Sequence, residues 1–255
     1  MAPAAKGALY LVPAPLDFGC AVQTPLRKVM PDATLESAAR LSHWICENAK
    51  SARAYLKRVG EIHPLAVPLR EQQIVELPRE VHKKGDHDST FDAKPLLAAA
   101  LAGQDVGLLS EAGMPAIADP GSSVVRAAHD LALRVVPLVG PGSLMLALAA
   151  SGLNGQSFAF VGYLPQDGAQ RTLRIQELDA QVHKTGQSQL FIETPYRNAA
   201  LWEALLKTLR PATRLSVASG LTMADATVAS RRAADWKQAT APTKNDVPAV
   251  FAIGR

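Results

Sequence analysis

The chain has 255 residues, 48% hydrophobic and 20% charged, with a formal net charge of +4 at pH 7. That balance is globular, and a chain of this length buries a core without covalent staples, which excludes a disordered tail and a disulfide scaffold. The two cysteines, Cys20 and Cys46, form no CxxC pair and leave no metal site to expect, so a reducing compartment is the simplest assignment. Tyr10–Leu16 is interrupted by Pro13 and Pro15 and is no signal-peptide core. The apolar runs Leu96–Ala102 and Leu144–Ala150 fall far short of the ~20 residues that span a bilayer. A soluble, cytoplasmic protein is expected. The sequence pI of about 9.1 permits contact with nucleic-acid phosphates without demanding it.

In chain order, Ala8–Val12 is a strand of the buried type, ended by Pro13-Ala-Pro15. Ala38, Leu41, Ile45, Ala49, Ala52 and Leu56 fit one continuous helix face; the alternative breaks near Ser42, uses His43–Glu47 as a strand and restarts at Ala49. Periodicity alone favours the continuous helix. From Gln72 to Lys94 the chain turns polar, and Val81–Ser89 has the character of a loop, over an active site or plainly on the surface. Gln104–Leu109 is a strand, and Asp119-Pro-Gly121 leads into a helix with Ser122 as N-cap and Val124, Ala127, Ala128 and Leu131 on one stripe. Leu133–Val139 is another strand, followed by Gly140-Pro-Gly142, a Ser143 cap and a helix Leu144–Ser151 stopped by Gly152. Further strands are expected at Ser157–Gly162, Gln189–Glu193, Arg214–Ala218 and Pro248–Ile253, with a helix carrying Leu201, Trp202, Leu205, Leu206 and Leu209. Strands alternating with helices predict an α/β fold.

Ser110-Glu-Ala-Gly-Met-Pro-Ala-Ile-Ala-Asp-Pro-Gly121 carries the most information. It sets two glycines, two prolines and two acids between a buried strand and a capped helix. Ligands of parallel sheets sit outside the carboxyl ends of the strands. Gly113 and Gly121 let backbone approach a ligand, and free amides at the next helix start suit a carboxylate. Val139-Gly-Pro-Gly-Ser143 repeats the strand–turn–helix context but lacks P-loop spacing, and no strand leads into G-x-G-x-x-G. Nucleoside triphosphates and NAD are thereby disfavoured. Ile192-Glu-Thr-Pro-Tyr-Arg197 is either a site or a local ion pair opening a helix.

Seven segments, in this order, resemble the tetrapyrrole-methylase superfamily of methyltransferases, and most of all its branch that 2′-O-methylates ribose in small-subunit ribosomal RNA. They are Leu9–Pro15, Leu109–Pro115, Ala118–Gly121, Val136–Pro141, Ser151–Leu153, Phe160–Pro165 and Glu193–Arg197. The resemblance runs from Leu9 to Arg255 and implies two α/β domains, 7–141 with a mainly parallel sheet and 142–255 with a mixed one. It further implies S-adenosylmethionine in the interdomain cleft and a homodimer. It selects the broken reading at Ser42, which puts Glu47 and Asn48 at the carboxyl edge of the sheet. Three stretches leave the branch's pattern: Glu47-Asn-Ala-Lys50 where it has Glu-Asp-Thr-Arg, Ser110-Glu-Ala-Gly-Met-Pro115 where it has Ser-Asp-Ala-Gly-Thr-Pro, and Ser219-Gly-Leu-Thr-Met223 where it has Arg-Glu-Leu-Thr-Lys. This is the profile of a divergent sister group.

On that resemblance the cofactor is expected against Pro13, Ala14, Pro15, Glu111, Ala112, Gly113, Met114, Pro115, Ile117, Asp119, Gly140, Pro141, Gly142, Ser143, Ile192, Glu193 and Thr194. Asn48, Lys50, Arg53 and Arg197 are the substrate-side candidates, and Glu47 is the candidate general base. Lys50 and Arg53 either meet phosphate or form a solvated helix face. Ribosomal RNA or the ribosomal subunit is the expected partner, and no metal is expected. Two rivals stand beside an RNA methylase: a small-molecule, tetrapyrrole-like methylase, and a cofactor-binding protein without catalysis.

Overall fold

The computed structural model describes residues 5–17, 19–81, the backbone of 82–84, and residues 86, 91–236, 239, 241–242 and 245–255. The chain divides into two compact units, Met1–Phe18 with Thr24–Pro141, and Gly19–Gln23 with Gly142–Arg255.

Unit 1 is built on β1 (Ala8–Val12), β2 (His43–Cys46), β3 (Gln73–Glu76), β4 (Val106–Leu109) and β5 (Arg134–Pro137) in the order β3-β2-β4-β1-β5. Every pairing is parallel, with Leu9 opposite Val106 and Val135. Side chains alternate across a strand, so each inner strand feeds two cores. Val12, Trp44, Cys46 and Leu109 join α1 (Leu26–Val29), α2 (Asp32–Arg40) and α3 (Ala49–Gly60) on one face. Leu9, Ile45, Val106 and Leu108 join α5 (Ala98–Leu101) and α6 (Ser122–Asp130) on the other.

The continuous helix favoured by periodicity breaks at Ser42. Trp44 and Ile45 enter opposite cores, and β2 pairs with both β3 and β4, which satisfies its backbone groups as a strand. The edge strand β3 was not visible in the sequence. Its burial is slight, and its apolar residues Ile74 and Val75 stand side by side between Gln73 and Glu76, so it carries no alternation. A short helix, α4 (Arg79–Lys84), occupies the start of the segment expected to be a loop; Gly85 and residues 87–89 of that expectation lie outside the described residues.

Unit 2 holds a mixed sheet of β6 (Phe158–Tyr163), β7 (Ser188–Glu193), β8 (Arg214–Ser219), β9 (Thr227–Arg232) and β10 (Ala249–Gly254), in the order β6-β7-β10-β8-β9. Only β6–β7 is parallel. One face packs on α8 (Gly168–Thr185), α9 (Asn198–Thr208) and α10 (Ala233–Trp236), with Trp202 and Trp236 edge to face at 5.0 Å. The other packs on α7 (Ser143–Ser151) through Leu144, Ala147 and Leu148. The helix α8, unmarked in the sequence reading, starts where the Asp167 carboxylate accepts the Gln170 amide and ends at left-handed Gly186. Among the described residues no helix is long and apolar enough to cross a membrane.

Candidate active site

The site in unit 1 is a rim made by the turns that leave β2, β4, β1 and β5. The chain leaves β1 toward α1–α3 and leaves the adjacent β4 toward α6, on the opposite face. That divergence opens a crevice at the carboxyl edge, the general ligand position of such sheets. Ala14 and Gly113 bridge the two turns through both of their backbone groups, Ala14 N to Gly113 O at 2.9 Å and Gly113 N to Ala14 O at 3.0 Å. Pro13, Ala14 and Pro15 are buried. In this unit Ala14 therefore serves as a strut, with its amide no longer open to a ligand. Gly140 packs on the same turn, where a Cβ would fall 2.2 Å from Pro13 Cγ. Thr34 Oγ1 donates to Val139 O at 2.7 Å and holds this last turn in place.

The β4–α6 turn is contorted. Ala116 (φ 64°) and Ala118 (φ 65°) are left-handed without being glycine, a conformation that costs about 1 kcal/mol or more each and concentrates at functional sites. They flank Ile117, which is 54% exposed. Glu111, Ala112, Met114 and Asp119 are half-buried, and Pro115 is buried. Two of the amides at the start of α6, expected to be open to a ligand carboxylate, are already taken: Asp86 accepts Gly121 N and Ser123 N, each at 2.8 Å. Ser122 is likewise no N-cap; Gly121 holds that position and the serine is the first helical residue.

Three carboxyl groups meet on this rim. Glu47 follows β2; Glu111 and Asp119 belong to the turn after β4. Glu47 Oε1 is buried without a hydrogen-bond partner. Burial pushes the Glu47 carboxyl up to about 7, and the charges of Asp119 and Glu111 add to the rise. The Glu111 amide and the Ser110 hydroxyl offset part of it. Asp119 is also pushed to about 7, by burial and then by the charge of Glu111. Glu111 itself accepts the Ser51 hydroxyl at 2.6 Å. Like charges held together out of water resist ionising at once, so this cluster stores a proton near neutral pH. The neighbouring thiol is inert: burial and the charge of Glu76 push Cys46 up to about 12.

Asn48 is the N-cap of α3, accepting Lys50 N at 2.8 Å and Ser51 N at 3.2 Å, which accounts for its carbonyl oxygen locally. Lys50 and Arg53 are exposed on α3, and Arg53 reaches back to Ala49 O at 3.4 Å. Lys57 continues their stripe, and α3 contains no acidic residue. Ser51, Ser110 and Lys57 were missed by sequence reasoning. Ser110 lay inside the quoted motif, and Lys57 follows Lys50 by seven residues, so both were legible. Ser51 was not, because its partner stands 60 residues away.

In unit 2, the segment after β7 shows the ion pair that the sequence offered as one alternative. Arg197 donates Nη2 at 2.6 Å and Nε at 3.0 Å to Glu193 Oε1, which also accepts Thr194 N at 2.7 Å. Glu193 is buried and Arg197 lies 5.5 Å over the Tyr196 ring, so neither is a free charge within this unit. Ile192 and Thr194 are half-buried. Pro141 closes unit 1, and Gly142, not Ser143, occupies the N-cap position of α7, with no side-chain cap.

The family model of the Tetrapyrrole (Corrin/Porphyrin) Methylases matches residues 33–235. The chain belongs to this family. As a tetrapyrrole methylase it is 32% identical, over 215 residues, to the ribosomal RNA small subunit methyltransferase I of Mesorhizobium japonicum, an alignment covering 84% of this chain and 64% of that protein. It is 38% identical over 112 residues to the protein of the same name from Pseudomonas aeruginosa, covering 44% of this chain and 38% of the other. The matched part thus spans less than two thirds of these relatives. The solved structure of the methyltransferase CobJ superposes with a TM-score of 0.59 at 14% identity, covering 98% of this chain and 94% of that one, which supports the fold.

Proposed function

We propose that this tetrapyrrole methylase transfers a methyl group from S-adenosylmethionine to a ribose 2′-hydroxyl of small-subunit ribosomal RNA. The observation that carries the reading is the carboxyl cluster of Glu47, Glu111 and Asp119 on the carboxyl edge of a parallel sheet, in a chain related to ribosomal RNA methyltransferases.

The residues present fit the methyl donor, which is cationic and carries hydroxyl groups. Buried and unpartnered, Glu47 Oε1 can take up a hydrogen bond, and the exposed Ile117 and Val139 offer apolar surface for a base. Met114, Asp119 and the turns at Gly113 and Gly140 complete the proposed holding set in unit 1. Gly142, Ser143, Ile192 and Thr194 are its proposed members in unit 2. When bound, the donor supplies a methyl group already activated by sulfonium charge. The protein's own work is alignment and removal of a proton. Glu47 is the proposed acceptor of the ribose hydroxyl proton, since a carboxylate held near pH 7 is a stronger base than an ordinary one and remains largely ionised above that pH. Lys50, Arg53 and Lys57, three and four residues apart on acid-free α3, are proposed to meet backbone phosphates. That stripe favours a polyanion over a small tetrapyrrole. We propose a homodimer on the family resemblance and a cytoplasmic location on the cysteine usage and short apolar runs; sedimentation and cell fractionation test them.

Calorimetric titration with S-adenosylmethionine comes first, then transfer of labelled methyl to small subunits from cells lacking the modification. Label recovered in a 2′-O-methyl nucleoside is the expected result. Absence of heat at millimolar donor sinks the cofactor reading, and label on a base nitrogen or carbon sinks the ribose reading.

A further inference from the structure

Asp86 is nearly absent from solvent at 3% exposure, far in sequence from everything it touches. Its carboxylate accepts the backbone amides of Gly121 and Ser123 and the hydroxyls of Ser122 (2.8 Å) and Ser123 (2.6 Å). Its own backbone oxygen accepts Arg126 Nη2 at 2.9 Å, one turn further along α6. The contact is therefore a two-ended clasp: the side chain holds the start of the helix and the helix holds the backbone that carries the side chain. Gly121 sits at φ 133°, and a Cβ there would fall 3.0 Å from Leu108 Cδ2. No other residue type takes that backbone without strain, so the exit of the β4–α6 turn is fixed by one torsion and one buried anion.

We infer that Asp86 is a positioning residue for the methyl-donor site, setting the shape of the Gly113–Gly121 turn by occupying the start of α6 with an internal carboxylate. This rests on the proposed function. The turn needs such a clamp because Ala116 and Ala118 hold unfavourable torsions that the chain would otherwise relax. A helix start supplies partial positive charge and open amides, and a carboxylate placed there is the strongest available lock. It follows that the Gly121 and Ser123 amides are not free to bind the carboxylate of the donor.

The test compares Asp86→Ala, Asp86→Asn and a control, Val182→Ala, destabilising the core of the other unit. Donor affinity is measured by calorimetry, well below each melting temperature, and amide exchange of residues 110–125 is followed in the donor-free protein. Asp86→Ala is expected to weaken donor binding about ten-fold or more at unchanged stoichiometry, to speed exchange at Gly121 and Ser123 by at least as much, and to be partly rescued by Asn. Val182→Ala should change neither. Wild-type exchange rates in Asp86→Ala, or an equal loss of affinity in the control, overturns the inference. If the wild type binds no donor, the proposed function fails on its own, while exchange still decides whether Asp86 shapes the turn.

Discussion

In unit 2 the buried acids face donors: Asp179 meets Thr213 Oγ1, Arg210 Nε at 3.1 Å and His183 Nε2 at 3.7 Å, and Glu193 meets Arg197. On the rim of unit 1, Glu47 faces the charges of Asp119 and Glu111, and Asp119 faces that of Glu111. The same side-chain chemistry thus serves two ends. A paired acid lowers the energy of the fold, and its removal leaves a stranded cation. An unpaired acid costs stability and keeps a proton exchangeable near pH 7, which is what a general base requires. The rim is the place where this fold carries a local conflict, as expected where function competes with stability.

The strongest test of the contrast is activity. Glu47→Gln should reduce methyl transfer by about 10²–10⁴-fold while leaving donor binding within a few fold, measured as single-turnover rate against calorimetric affinity. Full turnover in that variant would remove Glu47 from the chemistry. Glu193→Ala should have the opposite profile, destabilising unit 2 by about 2–3 kcal/mol in denaturant unfolding because Arg197 keeps its charge with only 19% of its side chain exposed.

A smaller effect is expected from Gly140→Ala. The clash with Pro13 should cost about 1–3 kcal/mol and loosen the turn after β5, read by thermal unfolding. The pH dependence sharpens the comparison further. An acid whose folded pKa lies above its unfolded value holds its proton longer in the folded chain. The contribution of Glu47 and Asp119 is therefore fully present below their ordinary values of 4.5 and 3.8, and is lost as pH rises through about 7. Melting temperature should fall between pH 5 and 8, with the slope flattened in Glu47→Gln; an unchanged slope would show that the rim acids are not strained. Asp86 runs the other way. Burial opposes its ionisation, but the hydrogen bonds from Ser123, Ser122 and Gly121 outweigh burial and hold it below the usual aspartate value, so its contribution is full above the usual value and is lost as pH falls through its own lowered one. Smallest of all, Lys57→Ala should make the salt dependence of RNA binding shallower by about 0.7–0.9 and alter stability by less than about 0.5 kcal/mol.

The strands β1, β2, β4, β5, β6, β7, β8 and β10 were legible in the chain to within a residue or two, as were the turns after them. Buried strands must be apolar on both faces, and turns with left-handed torsions draw Gly and Pro, so both leave local marks. For β2 that mark came through the family resemblance, since periodicity alone favoured a helix across it. The edge strands β3 and β9 left none, because one side of each meets solvent and their few apolar residues stand adjacent instead of alternating. Glu47 was legible as an acid at a strand end. Its raised pKa was not, because that depends on Glu111 and Asp119 arriving from another strand. Asp86 was invisible for the same reason: it acts across 35 residues, on a helix whose start looked capped by its own serine. Local propensity writes elements and turns into the chain. Only the tertiary fold decides which charges are left facing each other, since electrostatic energy depends on distance in space and on exclusion of water, neither of which a linear spacing records.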